Sequence, residues 1–445
     1  MPKPSPARPS TEPHLLYVAW GYPPSRGAGM YRALATANAF AQNGWRVTVL
    51  TATRDTFERL TGSDPDSEAS IDPRVNVVRI PFDPQRGEPD IARWSRWRLF
   101  SPLLWNYLRW KWAGLKFPEP SYASWLRPLV NAAVDIHLND SVDLVLGTSN
   151  PNVDFMPGYA LHRRFGVPYV MDHRDTWHLN VYSGRHIGSR RSRRLEKKLF
   201  ALSSEAWFVN RAIRDWHAKT YPERSDSFHV VANGYDPSFL DQTRSRLPSD
   251  QGLVFGFLGT TYGPMPLRET LDAWVQARAS SELVGRSQLV FRGRLGHFAE
   301  PDSAVAALFE EYADAGVKYE GSVSKTNISE VYKSFDVLML ILGRSKYVTS
   351  GKVFEYAATG LPIVSAHHPE TAASEILSGY PGWYPIENVT VADITTAILD
   401  AADAAVHMKE HDFIENQNWA RHLARDEQLL PRVAELASLV RGGSQ

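Results

Sequence analysis

The sequence predicts an α/β protein built from two Rossmann-like domains in tandem, each a parallel sheet wrapped by helices. Three observations carry that prediction. Short apolar runs without polar alternation recur along the chain, as expected for strands buried on both faces, for example Val142-Asp143-Leu144-Val145-Leu146 and Phe335-Asp336-Val337-Leu338-Met339-Leu340-Ile341. Helix-length amphipathic segments separate these runs. The chain has 445 residues, beyond the size at which one core keeps growing.

Composition narrows the classes of function. The formal net charge is zero and 43% of residues are hydrophobic, which argues against a bulk nucleic-acid binder and against disorder. Cysteine is absent, so disulfides, thiolate zinc sites and cysteine nucleophiles are excluded. No run has the length of a membrane span, and residues 1–13 are Pro/Ser-rich without a signal-type apolar core. The expectation is a cytoplasmic protein with a short disordered leader.

The first domain, residues 14–245, opens with the strand Leu15–Trp20, a loop from Gly21 to Gly29, and an alanine-rich helix from about Tyr31 to Asn43. The strand Trp45–Leu50 completes a βαβ unit. Its glycines lack the dinucleotide spacing and no acidic residue closes the second strand, which disfavours a nicotinamide enzyme. Gly27 and Gly29 either bring backbone N–H groups to a sugar or phosphate or simply turn the chain into the helix.

An insertion at about 91–129 carries Trp94, Trp97, Trp105, Trp110, Trp112 and Trp125 among Arg93, Arg96, Arg98, Arg109 and Lys111. Aromatic and basic side chains together suit a lipid headgroup boundary, so peripheral contact with the inner face of a membrane is one expectation. Packing of the insertion on its own domain is the other, with stacking on nucleic acid a distant third.

Alternation resumes with the strand Val142–Leu146, a helix to Phe165, and the strand Val167–Met171, which runs into Asp172-His173-Arg174-Asp175-Thr176-Trp177. Polar groups at the end of a buried parallel strand lie where α/β sheets place ligands. His173 and Asp175 are candidates for holding a hydroxyl-rich substrate, and Arg174 for pairing with a carboxylate or phosphate. The alternative is a buried Arg174–Asp172 pair that only ties the loop. A basic helix from Arg190 to Phe200 and the strands Ala206–Val209 and Phe228–Val231 follow, and then turn residues from Asn233 to Pro237.

The second domain, residues 252–412, starts at the strand Leu253–Leu258, turns at Gly259-Thr260-Thr261-Tyr262-Gly263, and continues as a helix to about Arg278. The strand Gln288–Arg292 ends in Gly293-Arg294. The most informative stretch is Thr349-Ser350-Gly351-Lys352-Val353-Phe354-Glu355-Tyr356-Ala357-Ala358-Thr359-Gly360, a helix between two buried strands. Thr349 or Ser350 can cap it and Gly360 can end it. Val353, Phe354, Ala357 and Ala358 share its apolar side, while Lys352 and Glu355 share the polar one. A lysine in the first turn, beside free helix N–H groups, suits a diphosphate, and Glu355 suits two neighbouring ribose hydroxyls. An exposed ion pair at i,i+3, adding about a few tenths of a kcal/mol, explains the same two residues equally well. Residues 413–445 are expected to be helices that cross back onto the first domain.

In this order, the chain resembles the retaining glycosyltransferases of family four, over roughly Leu15 to Arg425. The resemblance rests on Pro23-Pro24 with Gly27 and Arg32, on Arg174-Asp175-Thr176-Trp177, on Asn233-Gly234-Tyr235-Asp236, on Gly259-Thr260, and above all on Gly351-Lys352-Val353-Phe354-Glu355-Tyr356 with Gly360-Leu361-Pro362-Ile363. It implies the GT-B fold, in which two such domains face each other across a cleft. The implied activity is transfer of a hexosyl or N-acetylhexosaminyl group from a nucleotide diphosphate donor to a hydroxyl acceptor, lipid-linked or free, with retention, without a metal or other cofactor, in polysaccharide or glycoconjugate assembly. The resemblance puts the ribose on Glu355 and the diphosphate on Lys352 and the N–H groups near Ser350 and Gly351. Gly27 and Gly29 then reach the donor from the opposite domain. His173, Arg174, Asp175 and Trp177 become the acceptor side, with Lys352 and Asp175 the residues of catalysis.

Two departures accompany the resemblance. A second glutamate, common seven residues before the ribose ligand, is replaced by Val348, and an arginine and a lysine common after the first strand are replaced by Thr260 and Pro266. The missing charge falls to one of Arg268, Arg292, Arg294, Arg344 or Lys346, of which Arg292, Arg294 and Arg344 are retained as donor-binding candidates together with Gly259 and Thr260. A nucleotide-sugar epimerase on the same fold, and a non-catalytic nucleotide-sugar-binding subunit of a glycan assembly complex, are the rival readings.

Overall fold

A computed structural model of the chain describes residues 12–27, 29–82, 88, 90–237, 252–261, 265–296, 302–323 and 327–442. Most of the expected leader, and the polar junction from 238 to 251, lie outside them. The chain forms two compact units. One holds the chain up to Asn180, Gly184–Ala232 and the segment from Leu429 onward; the other holds Val181–Ser183 and Asn233–Gln428.

The first unit is a seven-stranded sheet of β1 (His14–Val18), β2 (Arg46–Ala52), β3 (Val75–Ile80), β4 (Leu144–Ser149), β5 (Tyr169–His173), β6 (Glu205–Phe208) and β7 (Phe228–Val230). The strands lie in the order β3-β2-β1-β4-β5-β6-β7, every pair parallel. Its helices are α1 (Gly29–Gln42), α2 (Arg54–Leu60), α3 (Arg96–Phe100), α4 (Pro102–Lys116), α5 (Ala123–Asn139), α6 (Met156–Phe165), α7 (Arg190–Leu202) and α8 (Arg211–Thr220). Leu15, Tyr17, Val47, Val49, Leu144 and Leu146 build the centre of one core with Phe40 and Trp45. Continuous apolar strands form here because helices cover both faces of a parallel sheet.

The second unit has β8 (Val254–Leu258), β9 (Gln288–Arg292), β10 (Val317–Tyr319), β11 (Val337–Ile341), β12 (Ile363–Ala366) and β13 (Trp383–Tyr384), in the parallel order β10-β9-β8-β11-β12-β13. Its helices are α9 (Leu267–Ser280), α10 (Glu282–Arg286), α11 (Ser303–Glu311), α12 (Ile328–Lys333), α13 (Lys352–Thr359), α14 (Ala372–Leu377), α15 (Val391–His407) and α16 (Glu410–Ala420), and α17 (Arg425–Gly442) follows. Phe255, Phe257, Leu271, Trp274, Phe291, Val337, Met339 and Ile341 are buried together in its core.

Two boundaries differ from the sequence reading. β5 continues through Asp172 and His173, because these residues pair with Thr148 and Ser149 of β4 and with Trp207 and Phe208 of β6. The residues from 413 onward also divide. α16 stays with the second unit, where Asn416 Nδ2 donates to Gly360 O at 3.0 Å and Gln417 Nε2 to Thr359 O at 3.4 Å. Only from Leu429 does the chain belong to the first unit, where Leu429, Val433 and Leu436, on one face of α17, enter the core.

Candidate active site

Strand order reverses its winding once in each sheet, between β1 and β4 in the first unit and between β8 and β11 in the second. Open α/β sheets bind ligands beyond the carboxyl ends of the strands at such a point. Both places are occupied by residues that the sequence singles out.

In the second unit the chain leaves β11 and returns to the sheet as α13. Val353, Phe354 and Ala357 are buried on its sheet side, and Gly360, at φ +80°, ends it. Tyr356 is buried too, its hydroxyl accepting the Leu258 N–H at 2.9 Å, which bonds the helix to the end of β8. Ser350 Oγ accepts the Lys352 N–H at 3.3 Å, and Gly351 is exposed with open space where a Cβ would stand.

The Lys352 side chain lies across the end of β8. Its Nζ sits 3.9 Å from the centre of the Phe257 ring and 3.5 Å from Thr260 O. Gly259 makes that path: at φ +143°, it also leaves a space where a Cβ would fall 1.9 Å from Lys352 Cε. Burial lowers the pKa of the Lys352 ammonium to about 7, against the pull of Glu355. One turn further on, Glu355 Oε2 accepts from the buried Tyr332 hydroxyl at 2.8 Å. Lys352 and Glu355 are therefore half-buried and held by other residues, unlike an exposed surface pair.

The candidate replacement cations separate into two groups. Arg292 is already met by Glu320, with an ion pair at 2.5 Å and a bond to its carbonyl at 3.0 Å, and Arg268 is paired with Glu311 at 2.9 Å. Arg294 and Arg344 are exposed on the loops after β9 and β11, and Lys346 is exposed near the Tyr347 ring.

The first unit holds a cavity of about 200 Å³ beyond β1 and β4, lined by Trp20, Gly21, Ser25, Gly27, Gly29, Met30, Thr148, Ser149, Asn150, Asp154 and Arg174. Gly29 leaves room for the Arg174 guanidinium, whose Nη1 would lie 1.7 Å from a Cβ there. Arg174 Nη2 donates to Asp175 Oδ2 at 3.1 Å. Asp154 is fully buried. Its Oδ2 accepts the Trp20 N–H at 2.8 Å, while Oδ1 has no partner among the described residues. Burial raises its pKa well above the carboxylate range. Burial also pushes Glu119 up to about 7, although it accepts the Asn152 N–H at 2.9 Å.

Of the expected acceptor residues, Arg174 alone lines this cavity. His173 is a correction: it is fully buried in a box of Phe155, Phe200, Phe208 and His217, with ring centres 4.8, 5.2, 5.3 and 5.6 Å away. The same burial lowers its pKa to about 3, so it packs as a neutral ring. Asp175 has a side chain 58% exposed, and its backbone is tied to Ser149 Oγ. Trp177 is half-buried and stacks on Phe117 and His178. Asp172 pairs with Arg32, not Arg174, at 2.9 and 2.7 Å, and Thr148 Oγ1 donates to it at 3.0 Å.

Sequence reasoning missed Asp154, Glu119, Asn150 and Tyr332. The first three had a signal. Ser149-Asn150-Pro151-Asn152-Val153-Asp154 is a polar run directly after a buried strand, and Glu119 is clamped between Pro118 and Pro120. Among the described residues no group of three His, Cys, Asp or Glu has the arrangement of a metal site, and no helix is long and apolar enough to cross a membrane.

No protein-family model matches the chain, and no curated protein matches it in sequence. Solved structures do match. A glycosyltransferase from Rickettsia africae superposes with a TM-score of 0.63 at 11% identity, covering 98% of this chain and 100% of that one. Sucrose-phosphate synthase from Thermosynechococcus elongatus gives 0.59 at 14% identity, covering 96% and 100%. HepE of Anabaena, solved in complex with UDP and glucose, gives 0.58 at 15% identity, covering 96% and 99%. The fold is the GT-B fold of these glycosyltransferases.

Proposed function

We propose that the chain transfers a sugar from a nucleoside diphosphate donor to a hydroxyl acceptor with retention at the anomeric carbon. The observation that carries this reading is the Lys352 ammonium, held against its own burial at the β8/β11 switch point over Gly259. A side chain kept in so unfavourable a place has a use for its charge. A diphosphate beside Nζ supplies the counter-charge, and Glu355, oriented by Tyr332, accepts from the ribose hydroxyls.

In the reaction the bond from the anomeric carbon to the donor phosphate oxygen breaks, and negative charge grows on the departing diphosphate. Lys352 stabilises that charge from a fixed position, and such preorganised groups are usually the largest catalytic contribution. The acceptor oxygen forms the new bond on the same face, and its proton passes to the leaving phosphate oxygen. No general base and no metal are required, so Asp175 acts by positioning. Gly27 and Gly29, where the chain enters α1, and Arg174, directly after β5, are the acceptor-side or phosphate contacts of the first unit. Asp154, whose pKa burial raises, presents to the cavity an Oδ1 that has no partner among the described residues, and is a further polar contact for the acceptor.

The experiment is a thermal-shift screen of UDP-, GDP- and dTDP-sugars, followed by product analysis by mass with the donor that binds. HepE was solved with UDP, which makes the UDP-sugars the first donors to try. Lys352→Ala should lower the transfer rate about 100-fold or more. Full activity in Lys352→Ala or in Glu355→Ala refutes the assignment. A sugar released with altered configuration at a ring carbon, and no glycoside formed, identifies an epimerase instead.

A further inference from the structure

We propose that the surface of the first unit formed by α3, α4 and α7 docks on an anionic phospholipid bilayer. This goes beyond the sugar-transfer reading and does not depend on it. α4 carries its apolar residues outward: Leu103 is 86% exposed, Leu115 69% and Trp112 64%, and Phe100, which ends α3, is 89% exposed. Side chains of this kind ordinarily close a core. A cluster of them on a surface marks a place of interaction. The inward seam is narrow, with Ala113 buried, and Arg98 packed 3.9 Å from the Trp94 ring centre and 4.7 Å from that of Trp105. Trp125 accounts for the part of the insertion that packs inward, being fully buried with its Nε1 donating to Ile80 O at 3.3 Å.

Charge selects the occupant. From Ile91 to Pro118 the chain has six Lys or Arg residues and no Asp or Glu. Arg96, Arg109, Lys111 and Lys116 are exposed among the apolar side chains. α7 adds a second cationic element, since Arg190, Arg191, Arg193, Arg194, Lys197 and Lys198 are all exposed. Its one acid, Glu196, is buried, where the Tyr221 hydroxyl donates to it at 2.6 Å. The two elements are fastened together: the Arg191 guanidinium donates to Gly114 O and Leu115 O, both at 2.6 Å, at the carboxyl end of α4.

A second copy seated here would set like charges against one another. Nucleic acid would use α7 and leave Leu103, Leu115 and Phe100 in water. An anionic bilayer uses both, with the aliphatic and indole groups below the headgroups and the cations at the phosphates.

The test is flotation of the full chain with vesicles of phosphatidylcholine, alone or mixed with phosphatidylglycerol, at low and physiological salt. Binding to the mixed vesicles, weakened by salt and accompanied by a blue shift of tryptophan emission, is the expected result. Leu103→Asp with Trp112→Asp should abolish the blue shift and the binding. Arg193→Glu with Arg194→Glu should weaken partitioning about 25-fold or more, at roughly fivefold per cation lost. Unchanged melting of each variant establishes that both remain folded. Absence of flotation with mixed vesicles at low salt overturns the proposal, as does equal binding by either variant. Dimerisation abolished by Leu103→Asp, or nucleic-acid binding abolished by the α7 variant, overturns it as well if vesicles are not bound.

Discussion

Replacing Lys352 by Met should make the free protein more stable and the nucleotide-bound protein less so. Methionine keeps most of the stem that crosses Gly259 and removes the charge. Burial takes the lysine from an ordinary 10.5 to about 7. At about 1.4 kcal/mol for each tenfold change in acidity, that sets a ceiling of roughly 4–5 kcal/mol on the strain. Residue 352 as a whole is not closed off from solvent, and contacts with Phe257 and Thr260 are lost with the amine, so about 1–2 kcal/mol is the expected net gain. In a unit of this size that raises the melting transition by about 2–8 °C. With nucleoside diphosphate at about 100 times Kd, the wild type should gain about 2.7 kcal/mol by mass action and the variant almost nothing, so their order reverses. The sign with pH is also fixed. Unfolded chain holds the lysine proton up to 10.5 and folded chain only to about 7, so wild-type stability rises with pH through that window. The advantage of the Met variant is therefore greatest below about pH 7 and fades toward 10.5. Calorimetric melting with and without UDP reads all of this. A variant that melts lower without nucleotide and is still shifted by it refutes the reasoning.

Three further outcomes follow from the geometry. Glu355→Gln retains an acceptor for Tyr332 and should leave melting nearly unchanged, yet raise the nucleotide Kd about 10- to 100-fold in titration calorimetry, because a charged acceptor becomes neutral. Gly259→Ala should cost about 1–3 kcal/mol and also abolish nucleotide binding, since φ +143° is strained for alanine and its Cβ occupies the path of Lys352; retained binding contradicts the packing described. Glu119 has a folded pKa raised from 4.5 to about 7, so the folded chain binds the extra proton and wild-type stability declines as pH rises through that window. Glu119→Gln should remove that slope in melting scans from pH 5 to about 8, and an unchanged slope assigns it elsewhere.

The Lys352 corner was legible because its parts are contiguous in sequence. A small-residue turn, a lysine, an apolar stripe and a terminating glycine suffice to place one helix beside a strand end, and Gly259 lies directly after the next strand over. The first unit's cavity was not legible in the same way. Its character comes from Asp154 and Glu119, which are carboxylic acids made unusual by burial, and burial is set by where distant segments pack. The Trp20 N–H that holds Asp154 is 134 residues away in sequence. His173 misled for the converse reason: a polar residue at the end of a buried strand is usually turned toward the ligand, whereas here Phe155, Phe200 and Phe208 enclose it. The pairing of Asp172 with Arg32 rather than with nearby Arg174 again spans 140 residues. Composition flagged the Trp/Arg insertion, but it could not tell which aromatic side chains close the core, as Trp125 does, and which face outward, as Trp112 does.

The central claim is that the amine of Lys352, above Gly259, receives the leaving group of an activated sugar. A crystal structure grown with the nucleoside diphosphate identified by the thermal screen tests it most directly. The predicted result is a phosphate oxygen within hydrogen-bond reach of Lys352 Nζ and both ribose hydroxyls on Glu355. Nucleotide bound elsewhere on the protein, with the lysine still resting on Phe257 and Thr260, would contradict it.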